Sequence, residues 1–126
     1  MSANPYQEYK KQAVMTMTPG EMIIKLYDEC LKMLNAGIIY IQEKNIEACN
    51  NSLKKAHQIL NYMRSILNRD YELSNELAAL YDYYVRRIIT ANIKKDIEPL
   101  EEIIPMITDL RNSFYEADKQ LRAAKK

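Results

Sequence analysis

The chain has 126 residues, 48% of them hydrophobic, and carries 18 Lys and Arg against 17 Asp and Glu, a formal net charge of +1. A chain of this length folds as about one domain and buries roughly two thirds of the surface that its unfolded form exposes, so it needs neither disulfides nor a structural metal. The near-neutral charge argues against a nucleic-acid-binding protein or one attracted to anionic membranes.

The composition predicts an all-helical protein of the cytosol. Two glycines and four prolines leave little material for hairpins, and no long stretch alternates apolar and polar residues. The longest apolar runs, such as residues 36–41, are too short for a signal core or a membrane span. Cys30 and Cys49 fall inside helical patterns without a close partner, which indicates free buried thiols in a reducing compartment.

In chain order, residues 1–17 are predicted to form an N-terminal segment and residues 18–126 a single-domain bundle. One stripe of the segment has the spacing of a short helix that packs on the bundle: Tyr6, Tyr9, Ala13 and Met17. Thr18, Pro19 and Glu21 then form a capping box, which predicts a helix of roughly 23 residues beginning at Pro19. Its apolar positions, three and four apart, include Met22, Ile23, Leu26, Tyr27, Cys30, Met33, Leu34, Gly37, Ile38 and Ile41.

Three further helices follow, with the predicted N-caps Asn45, Asp70 and Asp96. Their apolar stripes run from Ile46 to Leu67, from Leu73 to Ala91 and from Ile97 to Leu121, and the third helix is expected to end around Asn92. Pro105 lies inside the last stripe and predicts a bend. Because the connections are short, consecutive helices must run antiparallel, which predicts an up-down-up-down four-helix bundle.

No catalytic, metal or cofactor site is predicted. His57 is the only histidine, and Lys54 stands three residues before it, which excludes the Glu-x-x-His motif of di-iron bundles. An alternative is a histidine phosphotransfer module that uses His57, but the following "QILNYMRS" lacks the Lys and Gly found one turn later in such modules. The simpler interpretation is a histidine at the edge of the core.

Tyrosine is unusually frequent, with ten Tyr against one Phe and no Trp, beside seven Met. Tyr combines a large apolar face with a hydroxyl that needs a partner, and Met repacks readily, so the composition favours an adaptable protein-binding surface. Tyr81, Tyr83 and Tyr84 lie on more than one side of one helix and are not all expected in the core. Tyrosines at the rim of the bundle, or a self-associating helical scaffold, are the alternatives.

Several motifs, in the right order and spacing, resemble one known family. They are "NPYQEY", "TPGEMIIKLYDECLKML", "LNRDYELSNEL", "LYDYYVRRIITANIKKD" and "ITDLRNSFYEA". Over nearly the whole chain they resemble the flagellar secretion chaperones (FliS). The chain departs from the family pattern at Glu29 and Cys30, where a small Gly-Ala pair is usual, and at Phe114, where Trp is frequent.

The resemblance implies a cytoplasmic helical-bundle chaperone, not an enzyme, that binds the disordered C-terminal region of flagellin, prevents its premature polymerisation and delivers it for type III flagellar secretion. It implies that the N-terminal segment covers part of the binding groove. The expected partner-binding residues are Tyr6, Tyr9, Val14, Leu26, Tyr27, Leu80, Tyr81 and Tyr84, with Arg86, Arg87 and Asn92 as weaker candidates. Contact with the export gate is a further expectation, and the free protein is expected to be a monomer or weak dimer. Neither nucleic-acid binding nor membrane insertion is expected.

Overall fold

The computed structural model of the chain describes residues 17–124, which form four helices and no strand. The helices are α1 (Pro19–Gln42), α2 (Ile46–Ser65), α3 (Glu72–Lys94) and α4 (Glu98–Ala124). The predicted all-α fold is confirmed.

At three helix starts, a short polar side chain accepts a hydrogen bond from a backbone amide that has no partner within the helix. The Thr18 hydroxyl accepts from the Glu21 amide at 3.2 Å, and the Asn45 side chain accepts from the Ala48 amide at 3.2 Å. The Asp96 carboxylate accepts from the amide of Glu98, the first residue of α4, at 3.0 Å. The caps predicted at Thr18 and Asn45 are confirmed, whereas Asp96 acts from one residue before Ile97, whose carbonyl accepts the first helical hydrogen bond of α4.

The start of α3 differs from the prediction. Its N-cap is Tyr71, which makes no side-chain capping hydrogen bond, and the predicted cap Asp70 is part of the preceding turn. In that turn, the Asp70 amide donates to the Asn68 side chain at 3.1 Å and the Tyr71 amide donates to the Asn68 carbonyl at 3.3 Å. Asn68 therefore organises the connection, and helical geometry begins only after Tyr71.

The end of α3 lies slightly beyond the predicted one. The helix continues to Lys94, two residues past Asn92, and stops at Lys95, whose backbone is left-handed with φ 52° and ψ 44°. An L-residue in that conformation cannot continue a right-handed helix. Farther along the chain, α4 continues through Pro105, and a bend there stays a prediction.

The four helices form a closed ring. Helix α1 packs against α2 and α4, and α3 packs against α2 and α4. Gly20 at the start of α1 lies against Asp118 toward the end of α4, and Gly37 toward the end of α1 lies near Leu100 at the start of α4, so these neighbours are antiparallel. The predicted four-helix bundle is therefore the observed fold.

Each pair of neighbouring helices is joined by a polar contact. The contacts are Ser52 Oγ to the Met33 carbonyl at 2.6 Å (α2 to α1), Arg64 to Asp82 at 2.7 and 3.1 Å (α2 to α3), Arg87 to Glu102 at 2.7 Å (α3 to α4) and Arg111 to Asp28 at 2.8 and 3.3 Å (α4 to α1). Partly exposed ion pairs contribute at most about 1 kcal/mol each, so the three ion pairs add little to the stability of the fold.

The core is apolar and continuous, but three large apolar residues of the predicted stripes are exposed outside it. Ile46 and Leu73 are each 61% exposed and Leu121 is 62% exposed. Each lies in the first or last turn of its helix, where the stripe extends beyond the facing side chains. The prediction that these residues are buried is wrong, because helical periodicity identifies the apolar face of a helix but not how far the neighbouring helices extend along it.

Helices α1 and α2 approach closely at Gly37. A Cβ atom at this position would lie 2.5 Å from Leu53 Cδ2 and 3.2 Å from Leu53 Cγ. Leu53 is fully buried and has little room to move aside. Glycine at position 37 therefore sets the distance between the two helices.

We predict that Gly37→Ala lowers the free energy of unfolding by about 1–3 kcal/mol, although alanine favours helices, because the added methyl group overpacks the interface. Urea unfolding measures the change. In a Leu53→Ala background, which opens the space, the same substitution should cost little or stabilise the chain. An equal penalty in both backgrounds would show that contact with Leu53 is not the cause.

Candidate functional site

The candidate binding residues of the sequence fall into three groups. Tyr6, Tyr9 and Val14 lie outside the described residues. Leu26 and Leu80 are half-buried and pack against the core, so a partner can reach part of each side chain. The remaining three residues, Tyr27, Tyr81 and Tyr84, are buried.

The three buried tyrosines correct the expectation of an accessible tyrosine surface. The hydroxyls of Tyr27 and Tyr81 lie 2.6 Å apart and form a buried hydrogen bond, with ring centroids 6.4 Å apart in an edge-on arrangement. Because each hydroxyl has a polar neighbour, the rings can be buried without the usual cost of an unpaired polar group. The Phe114 ring packs 5.5 Å from that of Tyr27, so α1, α3 and α4 meet here.

Burial also changes how these hydroxyls ionise. Desolvation raises the pKa of Tyr27, and the hydrogen bond to Tyr81 raises it further. Desolvation raises the pKa of Tyr81 and raises that of Tyr84 from 10.0 to about 12. Tyr83 is only half-buried and its hydroxyl donates to the Glu102 carboxylate, which confirms that the three tyrosines of this helix are not all in the core.

An apolar cavity of about 240 Å³, which we call the α2–α3 cavity, opens at the end of the bundle where α2 connects to α3. Its walls include Ile23, Met63, Ile66, Leu73, Tyr81 and Phe114, so all four helices contribute. Ile66 is 46% exposed at its rim, beside the more exposed Leu73. Isolated exposed apolar residues are ordinary on proteins, but here they border one concave apolar surface.

The sequence did not identify this surface. The apolar pattern predicts Leu73 in the core stripe of α3, and it does not indicate Ile66 as a binding residue. The signal that could have found them is their position on either side of the polar turn "NRD", where apolar residues at two helix ends face the same side of the bundle. The cavity includes Tyr81 from the predicted set, at its inner wall.

The weaker candidates have structural roles. Arg87 pairs with Glu102 across α3 and α4, and the Arg86 guanidinium lies 5.8 Å from the centroid of the Tyr83 ring. Asn92 is half-buried, and its side-chain oxygen accepts from Lys95 Nζ at 2.6 Å.

Among residues 17–124, His57 and the two cysteines do not line the α2–α3 cavity. His57 is half-buried on α2, in agreement with a histidine at the edge of the core. Cys30 and Cys49 are free and buried, as predicted, and burial raises the pKa of the Cys30 thiol to about 12. Within residues 17–124, no cluster of three or more His, Cys, Asp or Glu side chains could hold a metal ion. Over the same range, no helix is long and apolar enough to span a membrane.

The fold and its cavity define a class of protein, the antiparallel helical bundle with an exposed apolar surface at one end. The family model of the flagellar protein FliS matches residues 2–121, and the chain belongs to that family. The flagellar secretion chaperone FliS of Bacillus subtilis is 40% identical over 114 residues, which cover 90% of this chain and 86% of that protein. FliS of Escherichia coli is 30% identical over 110 residues, covering 85% and 81%, and FliS of Vibrio cholerae is 28% identical over 114 residues, covering 86% and 84%.

We predict that Tyr27→Phe and Tyr81→Phe each lower the free energy of unfolding by about 1–3 kcal/mol, because each leaves the other hydroxyl buried without a partner. The double variant should recover most of the loss, since both polar groups are then gone. Urea unfolding of the four proteins gives the coupling. Additive losses in the double variant would contradict a paired hydroxyl contact.

The raised pKa values also predict loss of stability in alkali. Below the unfolded-state values, about 9 for Cys and 10 for Tyr, the groups are neutral in both states and stability is intact. As pH rises through that range toward about 12, the unfolded chain ionises first, so stability falls progressively. Urea unfolding at stepwise pH should show this fall, less steep in the Tyr27→Phe, Tyr81→Phe double variant. A free energy of unfolding that does not change over this pH range would refute the prediction.

Proposed function

We propose that the chain is a cytoplasmic export chaperone that binds the disordered C-terminal region of flagellin, keeps it from polymerising and delivers it for type III flagellar secretion. Membership of the FliS family, together with the exposed rim of the α2–α3 cavity, carries the proposal. The chain would act by binding alone, without a catalytic step or a cofactor.

The chemistry of the cavity suits an amphipathic segment. Helix-in-groove recognition places apolar side chains of a partner, three and four residues apart, into an apolar concavity on a bundle. A disordered partner loses several kcal/mol in becoming ordered, so a long apolar contact surface is needed to compensate. Ile66 and Leu73 offer such surface at the rim, and Leu26 and Leu80 offer a smaller part elsewhere on the bundle.

The buried tyrosines support this surface from beneath. Tyr81 forms part of the inner wall of the cavity and is held by its hydrogen bond to Tyr27. An apolar side chain entering the cavity would meet a wall that is already positioned. Pre-positioned surfaces bind more tightly because less freedom is lost on binding.

The N-terminal segment, residues 1–17, is proposed as a cover that flagellin displaces. It joins the bundle at Thr18, and Ile23, little more than one turn into α1, lines the α2–α3 cavity. The junction between the segment and the bundle therefore lies near the surface that the segment is proposed to cover. Contact with the export gate, and a free state that is a monomer or weak dimer, stay predictions.

Calorimetric titration with roughly the last 50 residues of flagellin from the same organism tests the proposal. This length is chosen because disordered segments that wrap a partner bury about 1,000 to 3,000 Å². We expect one-to-one binding with a negative heat-capacity change. Leu73→Asp should weaken binding about ten-fold or more, because it places a charge at the rim of the cavity. His57→Gln should leave affinity unchanged.

Leu121→Asp is the matched control. Leu121 is 62% exposed against 61% for Leu73, yet it does not line the cavity. Its substitution should leave affinity within about two-fold, a difference of about 0.4 kcal/mol. A flat titration of the folded chain would refute flagellin binding, and equal weakening by both leucine variants would refute binding at the α2–α3 cavity.

A further inference from the structure

A second cavity, of about 350 Å³, lies at the opposite end of the bundle, and we call it the α1–α2 cavity. Its walls are formed by Tyr40, Ile41, Lys44, Asn45, Ile46, Cys49 and Lys95. Its size is within the range of ligand-binding sites, which combine apolar walls with a few polar groups. No carboxylate from residues 17–124 lines it.

Lys95 presents a cation whose position is fixed. Its Nζ donates to the Asn92 carbonyl at 2.7 Å and to the side-chain oxygens of Asn92 and Asn50, both at 2.6 Å. All three acceptors are neutral, and in the described part of the chain no carboxylate forms an ion pair with Lys95 or Lys44. The cavity therefore carries two positive charges without a paired anion.

The positive charge at the cavity comes from the lysines and not from the helix dipoles. Asn45 and Ile46 line it at the amino-terminal end of α2, where the dipole is positive, but Tyr40 and Ile41 at the end of α1 and Lys95 at the end of α3 line it where the dipoles are negative. The nearest acids in sequence, Glu43, Glu47 and Asp96, are exposed and do not line the cavity. Its charge and walls together fit a ligand that is apolar and anionic at once.

We propose that the α1–α2 cavity binds the carboxyl terminus of the polypeptide that the chain carries. The terminal carboxylate would interact with Lys44 and Lys95, taking the place of the exposed Asn50 amide on Lys95, while the last apolar side chain enters the cavity. The inference rests on the proposed function and deepens it by assigning the end of the bound segment to one site.

A chain terminus fits the cavity better than an acidic side chain does. Lys44 and Lys95 line the same compact space as the apolar side chains, so a ligand that holds a carboxylate and an apolar group close together suits it. A C-terminal residue carries both on one Cα atom. An internal Asp or Glu supplies the charge but needs a second residue to fill the apolar part.

The proposal also gives the bound segment a direction. The α1–α2 cavity lies at the start of α2 and the α2–α3 cavity at its end, separated by a helix of 20 residues. At 1.5 Å per residue that helix is about 30 Å long, so a helical ligand would need roughly 20 residues to reach both cavities. The carried segment would run along the bundle with its carboxyl end at the α1–α2 turn.

The test compares the flagellin C-terminal peptide as a free acid and as a carboxamide. We expect the acid to bind the chain about ten-fold more tightly, the size of effect typical of a charge-assisted hydrogen bond. Lys95→Gln should weaken binding of the acid about ten-fold and leave that of the amide unchanged. Lys94→Gln is the matched control, since Lys94 is the adjacent lysine but does not line the cavity, and should change neither affinity.

Lys44→Gln provides a second variant, because Lys44 is exposed and its loss removes no hydrogen bond within the described residues. It should reduce the difference between the acid and the amide even if Lys95→Gln disturbs the end of α3. Equal affinity of the two peptides, or equal weakening of both by the lysine variants, would overturn the inference while leaving flagellin binding intact. No binding of either peptide would overturn the proposed function and the inference with it.

Discussion

The hydrogen bond between the hydroxyls of Tyr27 and Tyr81 is the constraint on which the arrangement of the helices depends. It joins α1 to α3, which lie across the bundle from one another, and Phe114 of α4 packs against the same Tyr27 ring. A core of leucines tolerates small shifts between helices, because apolar contacts have little directionality. Two buried hydroxyls cannot separate without leaving polar groups unpaired in an apolar environment, so this pair restricts the core to one register.

Because the register is set inside the bundle, the surface need not supply it. The ion pairs between neighbouring helices are partly exposed and individually weak, and they lie along the sides of the bundle. The apolar residues that the core leaves exposed at Ile46, Ile66 and Leu73 lie at the helix ends. The two ends can therefore keep apolar surface available for a partner without weakening the fold.

The helices could be predicted from the sequence because their starts depend on local chemistry. The side chains of Thr18 and Asn45 hydrogen-bond to amides three residues ahead, and such pairs can be recognised in sequence. The turn at Asn68 could not be predicted, because it depends on which of several polar residues folds back on the backbone. The hydrogen bond between Tyr27 and Tyr81 could not be predicted either, because it joins two residues that are 54 positions apart in the sequence. The cavities were missed for a related reason: periodicity does not show where a helix extends past its neighbours.

The departures from the family pattern become understandable from the same packing. Cys30 stands where a small residue is usual, and it fits because the backbone that it faces belongs to Ala56, whose carbonyl lies 3.9 Å from its sulfur. Phe114 stands where Trp is frequent, and it lines the α2–α3 cavity while it packs on Tyr27. A tryptophan at that position would place a second ring against the same walls and reduce the open volume. The smaller ring keeps the contact with Tyr27 and leaves space beside it, so the substitution changes the shape of the α2–α3 cavity more than the packing of the core.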